Sequence, residues 1–254
     1  MLLVVDIGNT RTKLGLFEKL TYKKTAIEDL HRDAMETFIG TGSLKGVIVT
    51  SVVPSLTQRL IAIMKDITQV PPLLISHTFD TGLSFAVEHP ERVGTDRIVA
   101  AAYCYQHFGG AMAVVDLGTV TTISIVDGSG AFLGGALIPG VDMMLGSLSQ
   151  RTALLPQVQH HWLVELGTDI RAIGGDTQRA IASGVVIGSA GAIQRIINEA
   201  QTGLGYRLSI ALTGGNCSLL ASFLNRVDLI EPDLSLKALK YLYDRVNPTA
   251  GALA

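Results

Sequence analysis

One short block occurs twice, and it constrains this chain more than any other feature. Val4-Val5-Asp6-Ile7-Gly8-Asn9-Thr10 is echoed 110 residues later by Val114-Val115-Asp116-Leu117-Gly118-Thr119-Val120. Each copy is an apolar run entering Asp-x-Gly, then small polar residues, then a second apolar run. The second run is Thr12-Lys13-Leu14-Gly15-Leu16-Phe17 in the first copy and Thr121-Thr122-Ile123-Ser124-Ile125-Val126 in the second. Such a pattern predicts strand, tight turn, strand: a hairpin whose turn carries an acid, a glycine and hydroxyls. Self-similarity at a fixed offset is the signature of a duplicated unit. The expectation is therefore two homologous halves, residues 1–110 and 111–254, facing each other.

The composition fits buried strands rather than disorder. Of 254 residues, 48% are hydrophobic and 17% charged, against the roughly 25% charged usual for soluble domains. Mean hydropathy is +0.39. These values invite a membrane reading. The longest uncharged stretch, Ile98 to Val115, is broken by Gln106, His107, Gly109 and Gly110, and Ala180 to Ile193 is too short to span. No membrane association is expected. The net charge of -2 gives no basic footprint, which argues against nucleic-acid binding. Cys104 and Cys217 match no metal or redox spacing and read as small buried hydrophobes in a reducing compartment. The chain opens on a strand without a basic leader, so a cytoplasmic location is expected.

Between the repeats the texture is α/β. Gly46 to Val53 reads as a buried strand stopped by Pro54, and Ser55 as the N-cap of a helix through Ile67. Leu73–Ile75 reads as a strand and Asp96–Phe108 as a helix. In the second half, Ala131–Leu137 reads as a strand and Val141–Leu154 as a helix. A long Gly- and Ala-rich helix is expected from Asp176 to Gln201. Leu208–Leu212 reads as a strand ending in Thr213-Gly214-Gly215-Asn216, and a last helix covers Leu234–Arg245. Gln157–Gly175 reads as an irregular excursion, with His160 and His161 at the surface. Adjacent residues share no helix face, so these two are not a metal pair.

The motifs permit phosphate chemistry. Gly8 in a tight turn lets backbone N–H groups approach phosphate oxygens. Asn9, Thr10 and Thr12 add donors, Lys13 a positive charge, and Asp6 a carboxylate that can hold Mg²⁺ through water. The same residues are also ordinary turn formers. Gly94-Thr95-Asp96-Arg97 leads into a helix, where Thr95 or Asp96 is equally an N-cap. Gly214-Gly215 lets backbone approach a flat base closely, and is equally a plain strand-to-helix turn.

In this order Asp6-Ile-Gly-Asn-Thr10, Thr50-Ser-Val-Val-Pro54, Pro90-Glu-Arg-Val-Gly-Thr-Asp-Arg97, Asp116-Leu-Gly-Thr119, Gly134-Gly-Ala-Leu-Ile-Pro-Gly140 and Thr213-Gly-Gly215 resemble type III pantothenate kinase over nearly the whole chain. That family belongs to the acetate/sugar kinase, Hsp70 and actin superfamily. The resemblance implies an α/β fold of duplicated ribonuclease-H-like (actin-like ATPase) domains with a central cleft. It implies ATP-dependent phosphorylation of pantothenate to 4′-phosphopantothenate, the first step of coenzyme A biosynthesis. Asp96 matches the family's proton acceptor, and Gly94, Thr95, Asp96 and Arg97 its pantothenate site, with Thr177 a further substrate contact. ATP and its phosphates fall to Asp6, Gly8, Asn9, Thr10, Arg11, Thr12, Lys13, Thr119, Gly214 and Gly215. Asp116 matches the ligand of a monovalent cation, K⁺ or NH₄⁺, and Mg²⁺ accompanies ATP at Asp6. A homodimer is also implied.

The chain departs from the family pattern in three places. Val87-Glu88-His89-Pro90 stands where Tyr-x-Asn-Pro is common, Gly174-Gly175-Asp176-Thr177 where Gly-Lys-Asn-Thr is frequent, and Val120 where Ala is frequent. These changes leave room for another hydroxylated acceptor. A non-catalytic nucleotide-binding relative is disfavoured by the presence of Asp6, Asp96 and Asp116 together.

Overall fold

The structure is a computed structural model that describes residues 1–18 and 21–248. The chain forms two compact units. One comprises residues 1–103 and 234–254, the other residues 104–233.

The first unit is built on β1 (Leu2–Ile7), β2 (Thr12–Glu18), β3 (Thr21–Ile27), α1 (Arg32–Ile39), β4 (Gly46–Ser51), α2 (Pro54–Ile67) and β5 (Leu73–Leu74). A short strand β6 (Ser84–Phe85) and the helix α3 (Thr95–Phe108) follow. The second unit contains β7 (Met112–Leu117), β8 (Val120–Val126), β9 (Ala131–Pro139), α4 (Val141–Gln150), α5 (His160–Leu166), α6 (Thr177–Leu204), β10 (Ser209–Thr213), α7 (Cys217–Ala221) and β11 (Leu229–Ile230). Helix α8 (Leu234–Val246) ends the described chain.

The duplication is present in the topology. The first unit's strands lie in the order β3-β2-β1-β4-β5, and those of the second in the order β11-β10-β7-β8-β9. Read from the opposite edge, the second is the first again. In both, the first three strands are antiparallel neighbours, and the fourth and fifth run parallel to the first. This is the ribonuclease-H-like sheet, twice.

Strand β1 is buried along its whole length, so it carries no polar-apolar alternation. Leu3, Val5 and Ile7 join Met35 and Ile39 of α1 and Leu60, Ile63 and Met64 of α2 in one core. Helix α8 packs on β1, β2 and β4 and buries Leu234, Leu236, Ala238, Leu239 and Leu242. Gly15 and Gly46 let α8 approach: a Cβ on Gly46 would lie 2.1 Å from the Tyr243 hydroxyl. The last helix therefore belongs with the first unit. The repeat divides the chain at residue 110, while the compact units divide it inside α3, between Tyr103 and Cys104, and again before Leu234.

The second unit's core gathers Val115, Leu117 and Ile123 around Val185, Val186, Ile193 and Ile197 of α6. By length and composition α6 would pass for a membrane span, but half of its apolar window is buried inside the protein. It starts at Asp176, whose side chain caps the Arg179 N–H at 2.8 Å, and ends at Gly205 in the left-handed conformation.

Several local expectations need correction. Ser55 does not cap α2: Val53 is the N-cap and makes no side-chain bond, with Pro54 at the first helical position. Proline suits that position because its missing N–H would have no helical partner there. Helix α4 stops at Gln150 rather than Leu154. The excursion at 157–175 contains α5, because Val158, Leu163 and Ile170 insert into the core. His160, at the start of α5, contacts Asp142 of α4, Nδ1 to Oδ1, at 2.7 Å. Strand β3, which carries polar residues along an exposed edge, was not expected at all.

Candidate active site

Each hairpin ends its first strand with the same acid in the same register. Asp6 lies opposite Lys13 on β2 and Thr50 on β4. Asp116 lies opposite Thr122 on β8 and Thr213 on β10. Asp6 is almost wholly buried, and the Lys13 ammonium stands 3.8 Å from its carboxylate. That distance is a charge pair without a hydrogen bond.

The first turn holds together through its backbone, with the Gly8 N–H donating to the Arg11 carbonyl at 3.1 Å. Asn9, Thr10 and Arg11 are exposed, whereas Thr12 is buried in the strand. The second turn is shorter by one residue. Its Leu117 carbonyl accepts from the Asn216 N–H at 3.2 Å, and its Thr119 carbonyl from the Gly140 N–H at 3.2 Å. The start of α4 and the end of β10 therefore both close on this turn. Gly140 has no room for a side chain, since a Cβ would lie 2.4 Å from the carbonyl oxygens of Gly118 and Thr119.

The two late glycines have different duties. Gly214 is buried at φ +88°, and a Cβ there would lie 2.5 Å from the Asp116 carboxylate. Gly215 is exposed with open space around its Cα.

Asp96 sits in the first turn of α3 and is partly buried. Its Oδ1 accepts the Arg97 N–H at 2.8 Å, and the carboxylate folds back over Gly94, where a Cβ would approach it to 2.5 Å. Burial raises the Asp96 carboxyl above its ordinary range, and the negative charge of Asp6 adds to the rise. The Arg97 N–H and the Arg97 guanidinium oppose it. Burial also lowers the Arg97 guanidinium, with Asp96 supporting its charge. The structure thus brings Asp6, Lys13, Gly94, Thr95, Asp96 and Arg97 together in the first unit. The Thr95 hydroxyl is occupied within the protein, bonded to Thr50 at 2.8 Å and to the Ser51 carbonyl at 3.0 Å.

In the second unit Asp116, Thr119 and Gly214 gather at one end of the sheet. Thr177 is exposed at the first position of α6, where Gly174 packs against Ala180. Among the described residues, no three His, Cys, Asp or Glu side chains converge to cage a metal. A single buried carboxylate such as Asp6 suits Mg²⁺, which keeps most of its water and binds phosphate oxygens.

Residues 2–199 match the family model for type III pantothenate kinase. The chain belongs to the type III pantothenate kinase family. A type III pantothenate kinase of Thermomicrobium roseum is 33% identical over 265 residues, covering 99% of this chain and 100% of that protein. One from Moorella thermoacetica is 34% identical over 258 residues, covering 96% and 99%. Among solved structures, a Campylobacter jejuni protein assigned to the Baf family of transcriptional activators superposes with a TM-score of 0.64 at 21% identity, covering 97% and 99%. The ROK hexokinase of Thermus thermophilus superposes with a TM-score of 0.52 at 14% identity, covering 96% and 99%. These superpositions bear on the fold, which the type III pantothenate kinase family thus shares with a sugar kinase.

Thr50 and Gly140 stand at the ends of two motifs of the resemblance, Thr50-Ser-Val-Val-Pro54 and Gly134-Gly-Ala-Leu-Ile-Pro-Gly140, but nothing in the sequence assigns either a role in building the site.

Proposed function

We infer that the protein transfers the γ-phosphoryl group of ATP to the primary hydroxyl of pantothenate, giving ADP and 4′-phosphopantothenate for coenzyme A biosynthesis. The observation that carries this reading beyond family membership is the Asp96 carboxylate. It is held over Gly94 at the start of α3, near a second acid on β1.

In this reading Asp96 orients the hydroxyl and accepts its proton late, because the transition state is loose and asks little of a base. A carboxyl pKa raised by burial suits that role, since the group takes up a proton more readily than an ordinary carboxylate. Arg97 supplies a planar fork for the substrate carboxylate, with Gly94 beside it and Thr95 setting the backbone of the acceptor loop; Thr177 is read as a further substrate contact. Gly8, Asn9, Thr10, Arg11 and Thr12 receive phosphates by backbone and side-chain donors, and Lys13 adds charge. Thr119, Gly214 and Gly215 are read as nucleotide contacts, with the exposed Gly215 open to a base. Asp6 would hold Mg²⁺ through water, and Asp116 a monovalent cation. Both ions supply charge neutralisation.

Replacing Asp96 with Asn keeps the shape and removes the base. Turnover should fall by about 10²–10⁴-fold, read as ADP release with pantothenate, Mg²⁺ and K⁺. Unchanged turnover in a folded variant would sink the assignment.

A second reading keeps the chemistry and changes the acceptor. It is favoured by His89, which contacts Glu91 at 3.2 Å and Glu88 at 3.8 Å where the family pattern has Asn. Phosphorylation of another hydroxy acid or of pantetheine, with none of pantothenate, would establish it.

The protein is further read as a cytoplasmic homodimer without nucleic-acid or membrane partners. Exposed Leu137, Met143 and Val164 support an interface in the second unit. A monomer in sedimentation would contradict it.

A further inference from the structure

The end of β4 holds a bonded pair that this reading does not use. Thr50 is fully buried and stands opposite Asp6 in the β1–β4 register. Its hydroxyl donates to the Thr95 hydroxyl at 2.8 Å. Thr95 donates in turn to the Ser51 carbonyl at 3.0 Å and accepts from the Ser51 N–H at 3.3 Å. A threonine hydroxyl has one proton to give and two lone pairs to offer. All three are engaged, so the Thr95 side chain has nothing left for a ligand.

The link joins two otherwise separate pieces of backbone. At one end is a strand locked to β1 by six in-register residue pairs, Asp6 among them. At the other is the first residue of α3, whose next residue is Asp96. Asp6 and Asp96 lie close enough for the charge of one to disfavour ionisation of the other. Two like charges push apart, and the bonds from Thr95 to Ser51 and Thr50 tie the helix start to β4 against that push, with Thr50 fixing the rotamer in which Thr95 meets Ser51.

We propose that Thr50 is a positioning residue for phosphoryl transfer: through Thr95 it holds the start of α3, and with it the Asp96 carboxylate, at a set place relative to Asp6. The proposal rests on the reading of Asp96 as proton acceptor. Misplacement of a reacting group by about 1 Å costs up to about 10²-fold in rate. Binding of ATP uses other groups, so the loss falls on kcat.

The test uses the full chain with MgATP, K⁺ and pantothenate. Thr50→Val keeps the buried shape and removes the donor, and Thr50→Ser keeps the donor. Thr50→Val should lower kcat about 10- to 100-fold with the KM for ATP within about twofold of wild type. Thr50→Ser should recover kcat to within about threefold. Should Thr50→Val fail to fold, Thr95→Val against Thr95→Ser removes the Thr50 bond together with both Ser51 bonds, with a loss at least as large expected for the Val variant and the same recovery for Ser. A Val variant at either site with wild-type kcat overturns the proposal. So does a Ser variant as impaired as its Val partner, or a loss confined to the KM for ATP. Asp96→Asn separates the two readings. If it turns over normally, the base assignment fails. If it is silent while Thr50→Val is normal, only the Thr50 link fails.

Discussion

The two Asp-x-Gly hairpins share a strand order and a register, and they differ in what faces the acid. Across the first hairpin Asp6 stands opposite Lys13, whose ammonium lies 3.8 Å away, and across the second Asp116 stands opposite Thr122. The first acid is also crowded by another, Asp96, whereas the second is closed in by the backbone of Gly214. A duplicated scaffold has thus been given two electrostatic characters by single residues at matched positions. One unit brings its own cation to its acid. The other has a threonine, not a cationic side chain, at that place; the proposed monovalent cation at Asp116 would fill that difference.

Substituting the matched acids should break the likeness most sharply. Asp6→Asn should lower kcat/KM by about 10²–10³-fold, the scale of removing a group that stabilises transferring phosphoryl charge. Asp116→Asn should cost about tenfold and abolish the response to K⁺. Steady-state rates with and without K⁺ decide it, and equal losses would mean the hairpins are not differentiated as described.

A smaller effect follows from making the second hairpin like the first. Thr122→Lys puts an ammonium where Lys13 stands in the other copy. Activity without K⁺ should rise several-fold, and added K⁺ should no longer help. A variant that still needs K⁺ would show that register alone does not govern the cation.

The smallest effect concerns stability and the acid crowding in the first unit. The folded-state pKa of Asp96 is raised, so the folded protein prefers it protonated. At pH above that raised value, ionised Asp96 costs stability. The cost shrinks as pH falls through the folded value and is gone below the unfolded one. Asp96→Asn should therefore melt higher than wild type at neutral pH. The gap should close on acidification, as followed by calorimetry. A variant less stable than wild type at neutral pH would contradict the burial argument.

Much of this was legible before any coordinates. The repeat announced the duplication, and every acid of the site was marked by its motif. The start of α6 lies at its cap Asp176, where it was expected, whereas its end lies at Leu204 before Gly205, beyond the expected Gln201. The misses have physical causes. Strand β3 is polar along an exposed edge, so it carries neither alternation nor an apolar run. Helix α5 is short and lacks a side-chain cap, and only the burial of Leu163 and its neighbours reveals it. The expected cap Ser55 lost to proline, whose ring already sets the first helical φ. Thr50 stands in a family motif, but its role was hidden because it lies in a partner 45 residues away. The place of α8 was hidden for the same reason, its apolar face being equally able to cover either sheet.

That last helix has a consequence for how the chain is made. One face of the first strand is covered by residues synthesised near the end of translation. At about 5–20 residues per second, roughly 7–30 s separate the completion of residue 103 from that of residue 246. During that interval Leu236, Leu239 and Leu242 have not yet arrived on the nascent sheet. The newborn amino-terminal half therefore presents an uncovered apolar face, a natural substrate for chaperones.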